Sequence, residues 1–486
     1  MAKNYETVMG LEVHVELKTN TKMFCNCSTA FGGKPNEHTC PVCLGLPGAT
    51  PVLNEKALDL AVTAGLATNC QIRRVGRQDR KNYFYPDLAK GFQTSQGDGP
   101  ICYGGYLDIE TAEGKKRIRI NRIHIEEDAG KLVHEEGLGS LVDNNRAGVP
   151  LVEIVSEADL RSAEEVLAYL HKLRAILTYT GVSDARMNEG SFRCDVNLSI
   201  REAGEERFGT RVEMKNLNSF RSIQRAIEYE AARQIRTVEE GGELFQETRG
   251  FSQDSGKTYS MRTKEDAADY RFMPEPDLMP IVITEEKIRE LTDGLPELPD
   301  ARKDRYIEEY GLGHYDAEQL ISSIELATFF EAAVSAGADP KAAANLIITD
   351  LFRLTGAEEF QVDMAPEDLA KIIEMVDTGR INLGSARKVL EIMFANPART
   401  PENIVVEENL EQINDRELLS PIIDEVLARS AKAVREYQAG KEKALQAIIG
   451  QVMGQTRGRA NPQLTIDLLR EKIGWPMGPV CVRAEN

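Results

Sequence analysis

The chain has 486 residues, 42% hydrophobic and 28% charged, with a formal net charge of −19 at pH 7. Such a length suggests about two or three domains with ordinary cores. The charge excludes a globally basic nucleic-acid-binding body, so any such contact must come from a local basic patch. The opening Met-Ala-Lys-Asn-Tyr lacks the apolar core of a secretory signal, and no apolar run of about 18 residues follows. A cytoplasmic protein without membrane contact is therefore expected, whose eight Cys serve metal binding or burial rather than disulfides.

The first element is a strand. Leu11-Glu-Val-His-Val-Glu-Leu-Lys18 alternates without fault, setting Leu11, Val13, Val15 and Leu17 on one face and Glu12, His14, Glu16 and Lys18 on the other. Taken alone, that is a strand with a solvated outer face. Two acids around one imidazole, however, push it toward its charged form or onto a metal. Next come Cys25-x-Cys27 and Cys40-Pro-Val-Cys43, two tight pairs joined by a loop containing Gly32, Gly33 and Pro35. The second pair has the spacing that lets two sulfurs reach one tetrahedral zinc, and the first is one residue shorter. With all four positions filled by Cys, a bound Zn²⁺ would be structural.

Helical periodicity covers 54–68, 162–178 and 219–239. Ser162 and Glu165 have capping-box spacing ahead of the apolar face Val166, Leu167, Leu170 and Leu173. Between the first two helices, Asp79–Pro86 sets Tyr83, Phe84 and Tyr85 beside Arg80 and Lys81. That composition suits stacking on adenine or on the terminal base of a tRNA, and suits core or interface packing equally well.

In Ile118–Asp128 the apolar phase slips between Ile120 and Ile123, as a bulge would make it do. Beyond the slip His124 and Glu126 share a face. Glu126, Glu127 and Asp128 follow one another and repel unless solvated or neutralised by a divalent cation with oxygen ligands. Glu153 sits inside the apolar run Leu151–Val155, where an unpaired carboxylate would be costly. Asp195, Asn197 and Ser199 alternate with Val196, Leu198 and Ile200, and Arg211, Glu213 and Lys215 with Val212 and Met214. Together these strands predict an α+β domain, with an antiparallel sheet covered by helices on one side and lining a charged cleft on the other. No Gly-x-x-x-x-Gly-Lys-Ser/Thr loop occurs, so a nucleotide would not be bound in the P-loop manner.

Two prolines in Leu295-Pro-Glu-Leu-Pro-Asp300 mark a linker, after which the pattern is helical to the end. A second break falls near Asn396-Pro-Ala-Arg-Thr-Pro401. The expected division is a cradle domain at 1–294, a helical body at 295–399, a helical tail at 400–476, and a loose extension at 477–486 beside the poor helix former Trp475-Pro-Met-Gly-Pro479. In the tail, Lys441 opens a helix, and Arg457 and Arg459 occupy a Gly-rich turn without acids. Such a turn suits phosphate contacts, although solvated basic loops are common.

Carried by Gly10–Leu17, Asp79–Pro86, Glu126–Lys131, Pro150–Ser156, Lys215–Phe220, Asp269–Arg271 and Pro274–Asp277, in that order, the chain resembles the B subunit of the Asp/Glu-tRNA amidotransferase family. The resemblance runs from Glu6 to about Leu469. It implies a cradle related to glutamine synthetase, a partner amidase (glutaminase) that supplies ammonia from glutamine through a channel, and a small third partner in the same complex. It also implies ATP, Mg²⁺ and mischarged tRNA: the side-chain carboxylate of Glu on tRNA(Gln), or of Asp on tRNA(Asn), is phosphorylated, and ammonia displaces the phosphate. Carried onto these positions, it assigns Glu12, His14, Glu126, Glu127 and Glu153 to Mg²⁺ and the reaction centre, with Asp195 and Lys215 beside them. Arg193, Glu213 and Tyr83 go to the nucleotide, and Lys441, Arg457 and Arg459 to tRNA. Two rival readings are a non-catalytic zinc-bearing tRNA adaptor and a glutaminase acting through Cys102 or Cys194. Neither of these Cys lies in a recognisable nucleophile turn.

Overall fold

The computed structural model describes residues 4–135, 137, 139–263, 270–355, 360 and 362–474. The expected loose extension at 477–486, the Trp475–Pro479 segment and Asp269 lie outside them. The chain divides into two compact units, Met1–Arg302 and Lys303–Asn486.

The first unit is built on a nine-stranded sheet. Its strands are β1 (Tyr5–Glu16), β2 (Gln71–Ile72), β3 (Cys102–Thr111), β4 (Gly114–Glu127), β5 (Pro150–Ser156), β6 (Phe192–Glu202), β7 (Val212–Lys215), β8 (Glu247–Ser252) and β9 (Lys257–Thr263). The spatial order is β9-β8-β7-β6-β1-β5-β4-β3-β2. Every neighbouring pair is antiparallel except β7 and β8, which run parallel. The predicted α+β class with a mainly antiparallel sheet is what the fold shows.

Alternation sorts the side chains as expected. Leu11, Val13 and Val15 of β1 join Ile123, Ile125, Val152, Ile154, Val196 and Leu198 in one buried apolar cluster. Helices α1 (Glu55–Ala67), α2 (Ala163–Tyr179) and α3 (Phe220–Glu239) close that cluster with Leu60, Ala61, Val166, Leu170, Leu173, Ile223 and Ile227. Each fully buried Val, Leu or Ile contributes about 1.5–3 kcal/mol, so the register of β1 is strongly specified. The opposite face is left free for polar groups.

The predicted slip in β4 is a bulge. Val155 pairs with Arg122 but Ser156 pairs with Ile120, so Asn121 is the extra residue and both Ile120 and Ile123 stay buried. The capping box of α2 forms with one change. Ser162 Oγ accepts the Glu165 amide at 3.1 Å, while the Glu165 carboxylate takes the Arg161 amide at 2.6 Å and Lys116 Nζ at 2.8 Å. Glu165 is nearly buried, and Lys116 neutralises it there.

A smaller three-stranded sheet pairs Asp79–Asn82 with both Phe92–Ser95 and Met273–Pro274. It joins two distant motifs: Arg80 donates to both oxygens of Glu275 at 2.7 and 2.8 Å.

The second unit is helical. The break at Leu295–Asp300 ends in a helix, Pro299–Tyr310, because Pro is well suited to a first helical turn. Likewise Thr400 caps the helix Pro401–Glu407. Buried apolar residues of this unit form two clusters. One contains Tyr306, Phe330, Leu369, Val389, Ile404 and Leu410; the other contains Leu419, Ile423, Ile448, Val452, Leu468 and Leu469. Among the described residues no helix is long and apolar enough to cross a membrane.

Candidate active site

Cross-strand pairing decides which polar side chains meet on the open face of the sheet. His124 of β4, Glu153 of β5, His14 of β1 and Arg193 of β6 stand directly opposite one another in one row. Glu126 follows two residues along β4, on the same face. His124 Nε2 lies 3.0 Å from Glu126 Oε1 and 3.3 Å from Glu153 Oε2, and His14 Nε2 lies 3.5 Å from Glu153 Oε2. Ligand atoms of His14, Glu126 and Glu153 come within 4.8 Å of one another.

His124, Glu126 and Glu153 are all buried, and their charges hold one another. Burial opposes charge on His124, but its hydrogen bonds to Glu126 and Glu153 prevail and push it up to about 9. Burial also works against an ionised Glu126, yet the His124 contact brings its carboxyl down to about 2. Glu153 is depressed likewise, against burial, by both imidazoles. His14 is raised despite its burial, chiefly by the Glu153 hydrogen bond. Ser95 Oγ and Gln93 Nε2 donate to Glu126 at 2.7 and 3.0 Å, which orients the carboxylate. Two carboxylates and an imidazole at this separation fit a divalent cation, which would compete with the imidazole protons.

A second acid set lies beside the first. Glu12 faces Asp195 across β1 and β6, Asn197 faces Glu213 across β6 and β7, and ligand oxygens of the three acids again lie within 4.8 Å. Asn197 Nδ2 donates to Glu12 at 3.0 Å and Thr248 Oγ1 to Glu213 at 2.9 Å. Lys215 pairs with Asp195, and with Glu213 at 3.0 Å. Those two acids keep it charged although burial opposes it. Burial raises the Glu12 carboxyl, and repulsion from Glu153, Glu213 and Asp195 adds to the shift. An all-oxygen donor set selects a hard cation such as Mg²⁺.

Glu127 stands apart from both sets. Successive residues of a strand point to opposite sides, so its carboxylate accepts the Thr94 amide at 2.8 Å and pairs with Lys90. It lines a cavity of about 210 Å³ with Lys22, Cys43, Arg80, Glu275 and Asp277 among its neighbours. Asp128 binds Arg193 Nη2 at 2.5 Å, while Arg193 Nε is buried without a hydrogen-bond partner among the described residues. Tyr83 is half-buried. Its ring meets Tyr270 edge-on at 5.9 Å, and its hydroxyl donates to Gln93 Oε1 at 3.4 Å. It thus reaches the site through the Gln93 amide that orients Glu126, whereas Phe84 and Tyr85 are exposed.

Cys25, Cys27, Cys40 and Cys43 converge, with all four sulfurs within 4.8 Å of one another. Sulfurs on a tetrahedral zinc are about 3.8 Å apart, and Cys43 Sγ is 3.9 Å from Cys40 Sγ. The Cys25 hydrogen bond pulls the Cys43 thiol down, and Lys22 adds to the effect. Lys22 is buried beneath the cluster, its Nζ 3.7 Å from Cys43 Sγ and held by the carbonyls of His38 at 2.7 Å and Asn144 at 3.1 Å. Four converging thiols over a buried cation fit a structural zinc.

In the second unit, Arg459 Nη1 donates to Asn409 Oδ1 at 2.7 Å, and the Arg459 carbonyl accepts the Ile413 amide at 2.8 Å. Arg457 is exposed in a left-handed backbone conformation, φ 53°. Lys441 is exposed, 3.9 Å from Glu436.

Sequence reasoning missed Gln93, Ser95, Thr248 and Lys22. None carries a spacing signal, because each reaches its partner only through tertiary pairing. His124 was legible as sharing a face with Glu126, but not as the centre of the cluster.

An α+β fold with two adjoining sets of side chains that fit a divalent cation on one sheet face defines a protein suited to charged substrates. Two family models match the chain: the GatB/GatE catalytic domain over residues 7–289 and the GatB domain over residues 328–473. It is 54% identical over 478 residues to the B subunit of the aspartyl/glutamyl-tRNA(Asn/Gln) amidotransferase of Carboxydothermus hydrogenoformans, covering 97% of this chain and 99% of the relative. The protein of the same name from Caldicellulosiruptor saccharolyticus is 54% identical over 96% of this chain and 99% of its own length. That from Geotalea uraniireducens is 51% identical over the same shares. The chain belongs to the family of aspartyl/glutamyl-tRNA(Asn/Gln) amidotransferase B subunits, as its motifs indicated.

Proposed function

We propose that this chain is the ATP-using, tRNA-binding component of a glutamine-dependent amidotransferase. It converts Glu-tRNA(Gln) to Gln-tRNA(Gln), Asp-tRNA(Asn) to Asn-tRNA(Asn), or both. The observation that carries this reading is the pair of cation sets, His14/Glu126/Glu153 and Glu12/Asp195/Glu213, brought side by side by strand register; the names of its relatives supply the substrate.

A carboxylate is a poor acyl donor. In the proposed sequence a side-chain carboxylate oxygen attacks the terminal phosphorus of ATP, the P–O bond to ADP breaks, and an acyl phosphate results. Ammonia then attacks the acyl carbon, phosphate leaves, and the nitrogen loses a proton to give the amide. Phosphoryl transfer depends on positioning and charge neutralisation, and bound Mg²⁺ would supply part of that neutralisation. Within the chain, the acids of the two sets would hold Mg²⁺, while Lys215 and Arg193 stand beside them to steady phosphate charge. The ammonia would come from a partner amidase (glutaminase), in a complex completed by a small third partner. The four Cys would hold Zn²⁺ as a structural ion, and Lys441, Arg457 and Arg459 of the tail would meet tRNA phosphates.

The test is phosphate release by the assembled complex with ATP and mischarged tRNA. Glu12→Ala is expected to lower the rate at least about 100-fold, the scale of losing a charge-stabilising group, with tRNA affinity unchanged. Undiminished turnover would place the chemistry in a partner and leave this chain as the adaptor.

A further inference from the structure

One edge of the large sheet is held by charge rather than by apolar packing. β7 and β8 run parallel and are joined through helix α3, since no tight turn can connect parallel neighbours. On β1 the inward face is Leu11, Val13 and Val15; on β8 it is Glu247, Arg249 and Phe251, of which Glu247 and Arg249 stand opposite Val212 and Met214 of β7. Thr258 of β9, opposite Phe251, shares that face. With Phe251 as the one apolar side chain that β8 turns inward, burial of apolar surface specifies its register only weakly.

Glu230 of α3 supplies the missing constraint. Its side chain is fully buried. Oε2 accepts the Thr258 hydroxyl at 2.8 Å and lies 3.4 Å from Arg249 Nε, while Oε1 accepts Arg233 Nη2 at 2.6 Å and Gln234 Nε2 at 3.0 Å. Arg249 also donates to Glu247 at 2.7 Å and to Thr258 Oγ1 at 3.0 Å. Two acids and two guanidiniums thus tie α3, β8 and β9 together on the helix side of the sheet. Sliding β8 by one residue would turn Arg249 to the other face and strip a buried carboxylate of a cation, which is strongly unfavourable. The register that the network fixes acts on the open face. There Thr248, opposite Glu213, is buried and donates its hydroxyl to Glu213 Oε2 at 2.9 Å, while Lys215 holds Oε1 at 3.0 Å. Glu213 is one of the three acids of the second cation set.

We propose that Glu230 is a positioning residue of that set: by fixing the register of β8 through Arg249 and Thr258, it brings Thr248 to Glu213 and aims the Glu213 carboxylate at the ion. Glu230 touches neither the acids nor the open face, so its effect passes wholly through the strand. Partners that orient a ligating carboxylate are worth about 10–100-fold in metal affinity. A Thr248 displaced by one residue would leave Glu213 Oε2 without its hydroxyl donor, and the carboxylate would swing with Lys215 alone.

This proposal rests on the cation-binding reading above. It is tested by electron paramagnetic resonance titration of Mn²⁺, standing in for Mg²⁺, into the full-length chain assembled with its partners. Glu213→Gln marks which ion belongs to the second set. Thr248→Val is expected to weaken that ion about 10–100-fold and Thr248→Ser to restore it, with the ion of the first set unchanged. Glu230→Gln should give the same selective loss, and combining it with Thr248→Val should add nothing, because both act through one hydrogen bond. Thr258→Val keeps the side-chain shape and removes the bridge to Glu230, so it must show the same loss if Glu230→Gln does not fold. Second-set affinity within about twofold of wild type in the Glu230 or Thr258 variant, an equal loss at both sets, or additive losses in the double variant would overturn it. Absence of both ions from the wild-type complex would instead sink the cation-binding reading itself.

Discussion

His124 carries the electrostatics of the candidate site because it touches two carboxylates at once, Glu126 at 3.0 Å and Glu153 at 3.3 Å. Glu153 in turn serves both His124 and His14, so its removal would take the carboxylate partner from His14 and leave His124 with Glu126 alone. A simpler ion pair gives a cleaner prediction. The Glu275 side chain is nearly buried and chelated by Arg80; burial opposes its charge, but Arg80 holds its carboxyl below the ordinary 4.5. Its stabilising effect is therefore present above that value and is lost as pH falls through the folded-state pKa. Glu275→Gln should cost about 2–3 kcal/mol near neutral pH, the scale of breaking a buried charged hydrogen bond. Thermal melts at a series of pH values should show that deficit shrinking below about pH 4.5, where the native Glu275 protonates too. A deficit independent of pH would mean that the carboxylate charge is not what matters.

At the scale of elements, β1 is the frame of the first unit: one face enters the core and the other supplies Glu12 and His14 to two different cation sets. The loop that follows has the opposite character. Residues 17–54 contain no helix or extended strand, and their only apolar anchors in the core are Leu17, Met23 and Phe24, with Val42 and Leu53 partly buried against it. Four thiols over the buried Lys22 would hold this segment as a core holds a domain. Metal analysis should find about one zinc per chain, and Cys43→Ser should lower that content and open the Gly32–Pro35 region to proteases. Lys22→Met, which keeps the stem but removes the ammonium, should weaken zinc retention against a chelator by about 10–100-fold. Full zinc content with unchanged retention in both variants would show that the thiols do not hold the metal.

At the scale of the whole molecule, the acidic charge of −19 would leave the proposed tRNA binding to local basic features such as the exposed Arg457 and Lys441. The second unit shows where a cut can be made. Ile404, Val405 and Leu410 belong to the apolar cluster of the preceding helices, whereas Leu419 to Ile473 build their own. Removing residues from Asn414 onward should weaken tRNA binding by the whole-tail contribution while the remaining chain keeps its melting transition and its partners. A cut at Thr400 should destabilise the cluster left behind. Unchanged tRNA affinity in the shorter chain would move the tRNA contacts elsewhere.

Much of this protein was legible in local pattern. Strict alternation in Leu11–Lys18 put the apolar face inward, the slip between Ile120 and Ile123 proved to be a bulge, and the spacing of four Cys predicted their convergence. Each of these depends on backbone periodicity or short chain reach, which act within a few residues. The tertiary structure decided which acids meet. Glu126 and Glu127 are adjacent in sequence, yet one joins His14 and Glu153 while the other turns to Lys90 and a separate cavity. Glu12 and His14 share a face but fall into different cation sets, because β6 and β7 bring Asp195 and Glu213 to the first and β4 and β5 bring Glu126 and Glu153 to the second. That choice is one of register between strands more than 100 positions apart. It is imposed by burying the apolar face of every strand at once, which no single stretch of sequence specifies.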